Sequence, residues 1–432
     1  MKILFCAYDR PGHLATGPNA WIQRLVPDLM STYGLKIQTL FIYSGKAADC
    51  PTLSYFKGHH LPISTINRED IPFVADQVKA LIQIVKKESI SIVLANLVIP
   101  AFYATRYLKR FNIPVIGVMH SNDTFSKNVI SKFIHGTAQD QLTASVAVSH
   151  YINGLCKDTI TTTALSVIPC GTPIPEAKTV ISEDKSLKVI YAGRLEIQQK
   201  QILKLTAAFI AASEQFPLLT FSIYGEGRAV REVTQLIESA NTTNVRYKGA
   251  VASAEMLWHF KEHQVFTLMS DYEGMPVALM EAMASGLVPI CLAETSGINE
   301  IIEHGFNGFI VKDRGIDYQK YLQLLLEDQD LWQRLSHNAV KTIKKRYSSA
   351  KTHKQWFELL NTFKKVQTKK ISLPRRINLE GALLFYGDNR KPLLQQVLKN
   401  NCRKYWMQFR LFVRPRARLK ELFNLDITKE RP

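Results

Sequence analysis

The chain predicts an α/β architecture, with two Rossmann-like, doubly wound domains facing a cleft and a basic C-terminal extension. Three observations lead there. Short continuous apolar runs alternate with longer helix-like stretches through residue 365. The runs form two series, divided by the turn-rich Cys170-Gly171-Thr172-Pro173-Ile174-Pro175 and the polar Ser182-Glu183-Asp184-Lys185. Beyond 365 the composition changes: 366–432 hold 16 of the 55 basic side chains and five of the 37 acidic ones.

In the first series the strand candidates are 2–7, 37–42, 92–95, 115–119, 146–148 and 166–168. In the second they are 188–192, 219–224, 245–247, 265–269, 288–292 and 309–311. A strand covered by helices on both faces has no solvent side, so its apolar run is unbroken rather than alternating. Two such series with intervening helices imply two doubly wound sheets. The expected division is an N-terminal domain over 1–178 and a C-terminal domain over 179–347. A terminal helix over 348–365, with Trp356, Leu359, Leu360 and Phe363 at helical spacing, is expected to cross back to the N-terminal domain. The extension over 366–432 is expected to be partly amphipathic and helical.

The N-terminal run Met1-Lys2-Ile3-Leu4-Phe5-Cys6 is too short for a signal peptide and is followed by Asp9 and Arg10. The stretch 90–104 contains Asn96 and Pro100 and is too short to span a bilayer. None of the six cysteines forms a CxxC pair, which suits buried reduced thiols. The expected location is cytoplasmic, or peripheral at the inner face of the membrane. The net charge of +18 favours anionic partners. In the extension, Leu394, Leu398, Cys402, Tyr405, Phe409 and Phe412 can share a helical face among Lys399, Arg403, Lys404 and Arg410. That pattern suits an anionic membrane surface or a helix packed on the body with its cations in water.

The segment 265–292 carries the chemistry. It reads as strand, loop, helix, strand, with Gly274 at a turn, Pro276 at the first helical position and Gly286 closing the helix. A helix N-terminus is thereby set at the carboxyl end of a parallel strand, where backbone N–H groups and the helix dipole attract phosphate. Glu273 in the loop and Glu281 in the helix flank the site. At a rise of ~1.5 Å per residue, Glu281 lies ~7–8 Å along the helix from Pro276, within reach of the ribose of a nucleotide whose diphosphate sits at the helix mouth. Arg194 and Lys200, after a strand ending at Ala192-Gly193, can hold a diphosphate and stabilise a leaving group; taken alone, they could equally be a solvated pair. Tyr224-Gly225-Glu226-Gly227 lacks the full dinucleotide fingerprint. In the first half, Thr16-Gly17-Pro18-Asn19-Ala20 precedes a helix and again offers backbone N–H groups, and His120 follows a strand where it can bond a substrate hydroxyl or simply pack.

Together these segments resemble the retaining glycosyltransferases of family 4, which have the GT-B fold. The resemblance rests on Gly17, Val146-Ala147-Val148-Ser149, Ile168-Pro169-Cys170-Gly171-Thr172, Ala192-Gly193-Arg194-Leu195 with Lys200, Gly225-Glu226-Gly227, and Glu273-Gly274-Met275-Pro276 through Glu281 to Gly286. Ser296 to Ile302 looks like the family's following loop and helix. The chain departs from the pattern at His150, where glutamate is frequent, at Gln201, where glycine is common, and at Cys170, where asparagine is usual.

The resemblance implies a retaining transfer from a nucleotide-diphosphate sugar to a glycan or lipid-linked acceptor, in envelope or extracellular polysaccharide synthesis, with no metal and no cofactor. It implies that Arg194 and Lys200 grip the donor diphosphate and that Glu281 binds the ribose. Glu273 and the backbone of Gly274, Met275, Pro276 and Val277 would bind the sugar and its phosphate. His120 would lie near the reacting centre, and Gly17 and Gly193 would allow close approach to the donor. A sugar-nucleotide epimerase on the same fold would need further acid/base carboxylates, and none is identifiable. A non-catalytic nucleotide- or nucleic-acid-binding relative is the other rival. The intact Arg194, Lys200, Glu273 and Glu281 set argues against the first form of it, and the lack of any nucleic-acid motif against the second.

Overall fold

A computed structural model describes residues 1–11, 17–157, 161–176, 179, 186–293, 296–364 and 369–379. The first sheet has seven strands: β1 (Lys2–Asp9), β2 (Lys36–Tyr43), β3 (Ile63–Asn67), β4 (Ile92–Asn96), β5 (Val115–Met119), β6 (Ala144–Ala147) and β7 (Ala164–Val167). The second has six: β8 (Leu187–Ala192), β9 (Leu219–Tyr224), β10 (Val245–Gly249), β11 (Val265–Leu268), β12 (Val288–Leu292) and β13 (Phe309–Val311). Their spatial orders are β3-β2-β1-β4-β5-β6-β7 and β10-β9-β8-β11-β12-β13. Every strand pair is parallel. The order reverses beside β1 and beside β8, so each sheet opens a ligand-binding crevice at the carboxyl ends of its central strands.

The apolar runs are explained by burial. β4, β5, β11 and β12 are buried at every position. β3 was not among the strands read from the sequence. It is an edge strand, Ile-Ser-Thr-Ile-Asn, in which only Ile66 is fully buried, so its apolar signal is weak.

The chain runs between the sheets twice, and the two crossings meet. The Thr172 N–H donates to the Tyr347 carbonyl at 2.9 Å, and the Ser349 N–H donates to the Thr172 carbonyl at 2.8 Å. The helix Ser349–Thr362 then lies on the first helix, Gly17–Ser31. Trp356 sits 5.7 Å from Trp21 and Phe357 stacks on Tyr33 at 4.7 Å, while His353 Nδ1 bonds Asp28 Oδ2 at 2.6 Å. Truncating a Trp buried as fully as Trp356 costs about 3–5 kcal/mol. Residues 369–379 continue along the N-terminal domain, with the Lys369 N–H on the Phe111 carbonyl at 2.8 Å and the Asn378 N–H on the Tyr107 hydroxyl at 2.6 Å. The amphipathic stretch expected over 391–412 lies outside the described residues, as does Cys402. The other five cysteines are buried free thiols. No described helix is long and apolar enough to cross a membrane.

Candidate active site

The site forms where the second sheet reverses, at the adjoining carboxyl ends of β8 and β11. After β8, Gly193 begins a loop whose backbone is pressed against the Gly225–Gly227 turn. A Cβ on Gly225 would lie 1.8 Å from the Gly193 carbonyl oxygen, and one on Gly227 would lie 2.2 Å from that of Leu195. These glycines serve close backbone packing, consistent with the missing dinucleotide fingerprint. The loop then lies on the segment after β11. Gln199 Nε2 donates to the Tyr272 carbonyl at 3.0 Å, and the Asp271 N–H donates to the Gln199 carbonyl at 2.9 Å.

This docking brings Lys200 Nζ onto Glu273 Oε1, a pair largely withdrawn from water. Arg194 stays half exposed, with Nη1 on Glu196 at 2.6 Å and Nη2 on Gln199 at 2.7 Å. Gln201 has φ +50°, the left-handed region where glycine carries no Cβ penalty, and its side chain is tied to Asp271. The departure from glycine at this position is therefore compensated by a local side-chain bond.

The helix after the loop spans Val277–Ala284, with Pro276 as its N-cap at ψ 117°. Pro276 is thus one residue outside the helix, not at its first position as the sequence suggested. Its fixed φ still orients the chain, while the first-turn N–H groups lack partners within the helix. Gly286, at φ +93°, lies just past the helix end as expected.

The N-terminal domain meets this loop at backbone distance. A Cβ on Gly274 would lie 1.8 Å from the His120 carbonyl oxygen, and one on Gly297 would lie 1.8 Å from the Gly274 carbonyl oxygen. Gly17 faces the Val277 side chain across ordinary contact distance. Arg24, on the first helix, extends Nη1 to Glu281 Oε1 at 2.8 Å. Burial raises the Glu281 pKa above the ordinary carboxylate range, and Arg24 partly offsets this. On the same side, Glu300 accepts from the His150 N–H at 2.9 Å and the Tyr151 N–H at 2.7 Å, capping the helix His150–Cys156. His150, another of the departures, thus contributes its backbone to an interdomain bond.

His120 ends β5 with both ring nitrogens engaged. Nε2 lies 2.6 Å from the Asn96 amide oxygen, an acceptor, so Nε2 carries the proton. Bare Nδ1 lies 4.0 Å from Cys170 Sγ, the third departure. The group His120 offers to the Gly274 loop is its carbonyl. Burial lowers its pKa to about 4, and burial does the same to His263, which bonds the His259 carbonyl and the Ser222 hydroxyl. In the unfolded chain both would titrate near 6.5. Between about 4 and 6.5 the unfolded state therefore binds more protons, so stability falls as pH drops through that window. A falling Tm from pH 6.5 to 4.5, with a shallower slope for His263→Gln, is the expected result. A flat wild-type profile would contradict it.

Of the residues expected at the site, Lys200, Glu273, Gly274, Met275, Pro276, Val277 and Glu281 are brought together, with Arg194 and Gly193 in the adjoining loop and Gly17 and His120 on the facing domain. The sequence assigns no role to Arg24, Glu300 or Asn96, although Glu300 lies in the segment Ser296 to Ile302 that carries part of the resemblance. Arg24 and Glu300 bond residues 257 and 150 positions away, and no local pattern encodes that. The chain's Asp-x-Asp triplet, Asp328-Gln329-Asp330, starts the helix Gln329–Arg346, with Asp328 accepting from the Leu331 N–H at 2.8 Å.

Known proteins share this fold. The chain superposes on Anabaena HepE, crystallised in complex with UDP and glucose, with a TM-score of 0.67 at 18% identity, covering 84% of this chain and 100% of HepE. The fold is therefore GT-B. It is 27% identical over 197 residues to the GtfA subunit of the UDP-N-acetylglucosamine–peptide N-acetylglucosaminyltransferase of Streptococcus agalactiae, covering 44% of this chain and 38% of that protein. It is 24% identical over 185 residues to the O-antigen biosynthesis glycosyltransferase WbnH of Escherichia coli, covering 43% and 51%. The chain thus spans about half the length, or less, of these curated relatives. Residues 175–342, which include the whole Lys200, Glu273 and Glu281 constellation, match the family model of the glycosyl transferases group 1.

Proposed function

We propose that this chain is a retaining glycosyltransferase that moves a sugar from a nucleoside-diphosphate sugar to a hydroxyl of a glycan or lipid-linked acceptor in cell-envelope or extracellular polysaccharide synthesis. One observation carries the reading. Lys200 with Glu273, Arg24 with Glu281, and the N-terminus of the Val277–Ala284 helix converge on one loop, against the backbone of the other domain. A pyrophosphate suits a helix N-terminus flanked by cations, and a buried carboxylate suits a ribose. The names of the relatives favour a UDP-sugar.

In this mechanism the donor diphosphate lies at the Val277 end of the helix, and its ribose hydroxyls donate to Glu281. Glu273 and the backbone from Gly274 to Val277 hold the sugar. As the glycosidic bond to the diphosphate breaks, Lys200, Arg194 and the helix N–H groups take up the charge on the leaving oxygen, without a metal. The acceptor hydroxyl attacks from the face the diphosphate leaves and passes its proton to a diphosphate oxygen, so the anomeric configuration is retained. Gly17 and Gly193 admit the backbone close to the phosphates, and contact between the domains excludes water.

The test is a panel of UDP-, GDP- and ADP-sugars, following nucleoside diphosphate release and the anomeric configuration of the product by NMR. Release from a UDP-sugar with retention is expected. A folded protein that releases diphosphate from none of them, or that inverts, overturns the reading.

A further inference from the structure

Arg24, in the N-terminal domain, reaches across to the C-terminal domain with its side chain. It projects from the first helix and is held along it by Nε on the Ala20 carbonyl at 3.2 Å. Nη1 is spent on Glu281, and Nη2 is buried with no hydrogen-bond partner in the structure. Its charge is felt by the Cys170 thiol and by the His353 ring, which is bonded to Asp28. Glu281 is 5% exposed, so its charge depends on the partner it is given. That partner comes from the domain opposite the one that carries Glu281.

We propose that Arg24 is a positioning residue for the nucleotide: it holds the Glu281 carboxylate ionised and aimed at the donor ribose, so that tight nucleotide binding requires the N-terminal domain to be closed onto the site. This rests on the reading above, in which Glu281 binds the ribose. A carboxylate oxygen fixed by one guanidinium N–H keeps lone pairs for two vicinal hydroxyls, whereas an unpaired buried carboxylate protonates and loses acceptor capacity. Arg24 therefore acts through Glu281, and removing it should resemble weakening Glu281.

The experiment titrates UDP, GDP and ADP, and the 2′-deoxy form of the tightest binder, into the full-length protein between pH 6 and 8. Wild type, Arg24→Met, Arg24→Lys, Glu281→Gln and Arg24→Met/Glu281→Gln are compared, each checked for folding by circular dichroism. Arg24→Met is expected to weaken the preferred nucleotide by about tenfold or more. The loss should grow as pH falls, because Glu281 without its cation is protonated at higher pH. Arg24→Lys should restore most of the affinity. Discrimination against the 2′-deoxy nucleotide should shrink in Arg24→Met, and the effect of Arg24→Met should vanish once Glu281 is Gln. Wild-type affinity in folded Arg24→Met overturns the proposal, as does a loss of equal size in both Glu281 backgrounds. If Arg24→Met fails to fold, Arg24→Gln takes its place, and wild-type affinity with unchanged 2′-deoxy discrimination in folded Arg24→Gln overturns the proposal equally. Failure of the wild type to bind any of the three diphosphates removes the underlying reading itself, a result separate from the behaviour of the variants.

Discussion

Gly274→Ala is expected to lower kcat/KM by about a hundredfold or more while both domains remain folded, because a misplacement near 1 Å at a reacting centre costs about that much. The added methyl carbon would sit 1.8 Å from the His120 carbonyl oxygen, 2.7 Å from its carbon and 3.3 Å from the Ser121 Cα. All three atoms are backbone at the end of β5, so no side chain can rotate out of the way. Gly274 has no positive φ, so alanine is not strained by the local conformation and the loop itself should tolerate it. What must give is the approach of the two domains. Glu273 and Glu281 would remain in place on the C-terminal side, while the facing backbone of His120 retreats. The measurement is steady-state transfer beside Tm, with Gly58→Ala as a control, since a Cβ there meets nothing within 4 Å. Wild-type turnover in Gly274→Ala would show that this backbone contact plays no part in the reaction. Gly297→Ala should also lower turnover, here by displacing the Gly274 loop within its own domain, because its Cβ would lie 1.8 Å from the Gly274 carbonyl oxygen.

The same contact marks the limit of what the sequence discloses. Buried strands such as Ile-Val-Leu-Ala and Val-Pro-Ile-Cys-Leu advertise themselves, because two covered faces leave no polar positions. The helix after β11 is legible from Gly274, Pro276 and Gly286, since turn and cap residues act over a few positions. β3 is not legible, because an edge strand with one fully buried side chain resembles any polar segment. Gln201 reads as a departure from glycine, and only the structure reveals its φ of +50° and its tie to Asp271. Arg24 lies on a helix in which Trp21, Ile22 and Leu25 make the buried face, so by periodicity it is an ordinary flanking cation. Its partner is decided by how the two sheets face each other. Local pattern therefore gives each half of the cleft, and the pairing across it appears only in three dimensions.

Lys200→Met is expected to reduce transfer by about 10²–10³-fold, the cost of removing one preorganised donor to a developing oxyanion. Lys200 and Glu273 are 12% and 8% exposed at the side chain, so the substitution also leaves a buried carboxylate without its counter-ion. Breaking such a pair destabilises by about 3–5 kcal/mol, and reduced activity alone would not separate the two effects. The double variant Lys200→Met/Glu273→Gln does so, because the neutral amide removes the stranded charge. Stability measured by denaturant unfolding should recover much of the loss. Transfer should stay well below that of Glu273→Gln alone, which sets the baseline for the lost sugar contact, because the cation that meets the leaving diphosphate is still missing. Arg194→Ala is expected to cost less than Lys200→Met, since its side chain is 49% exposed and already shares its charge with Glu196. If the double variant matched Glu273→Gln in transfer while regaining stability, Lys200 would be a structural counter-ion for Glu273. The cation at the leaving group would then have to be Arg194, with its present Glu196 partner displaced.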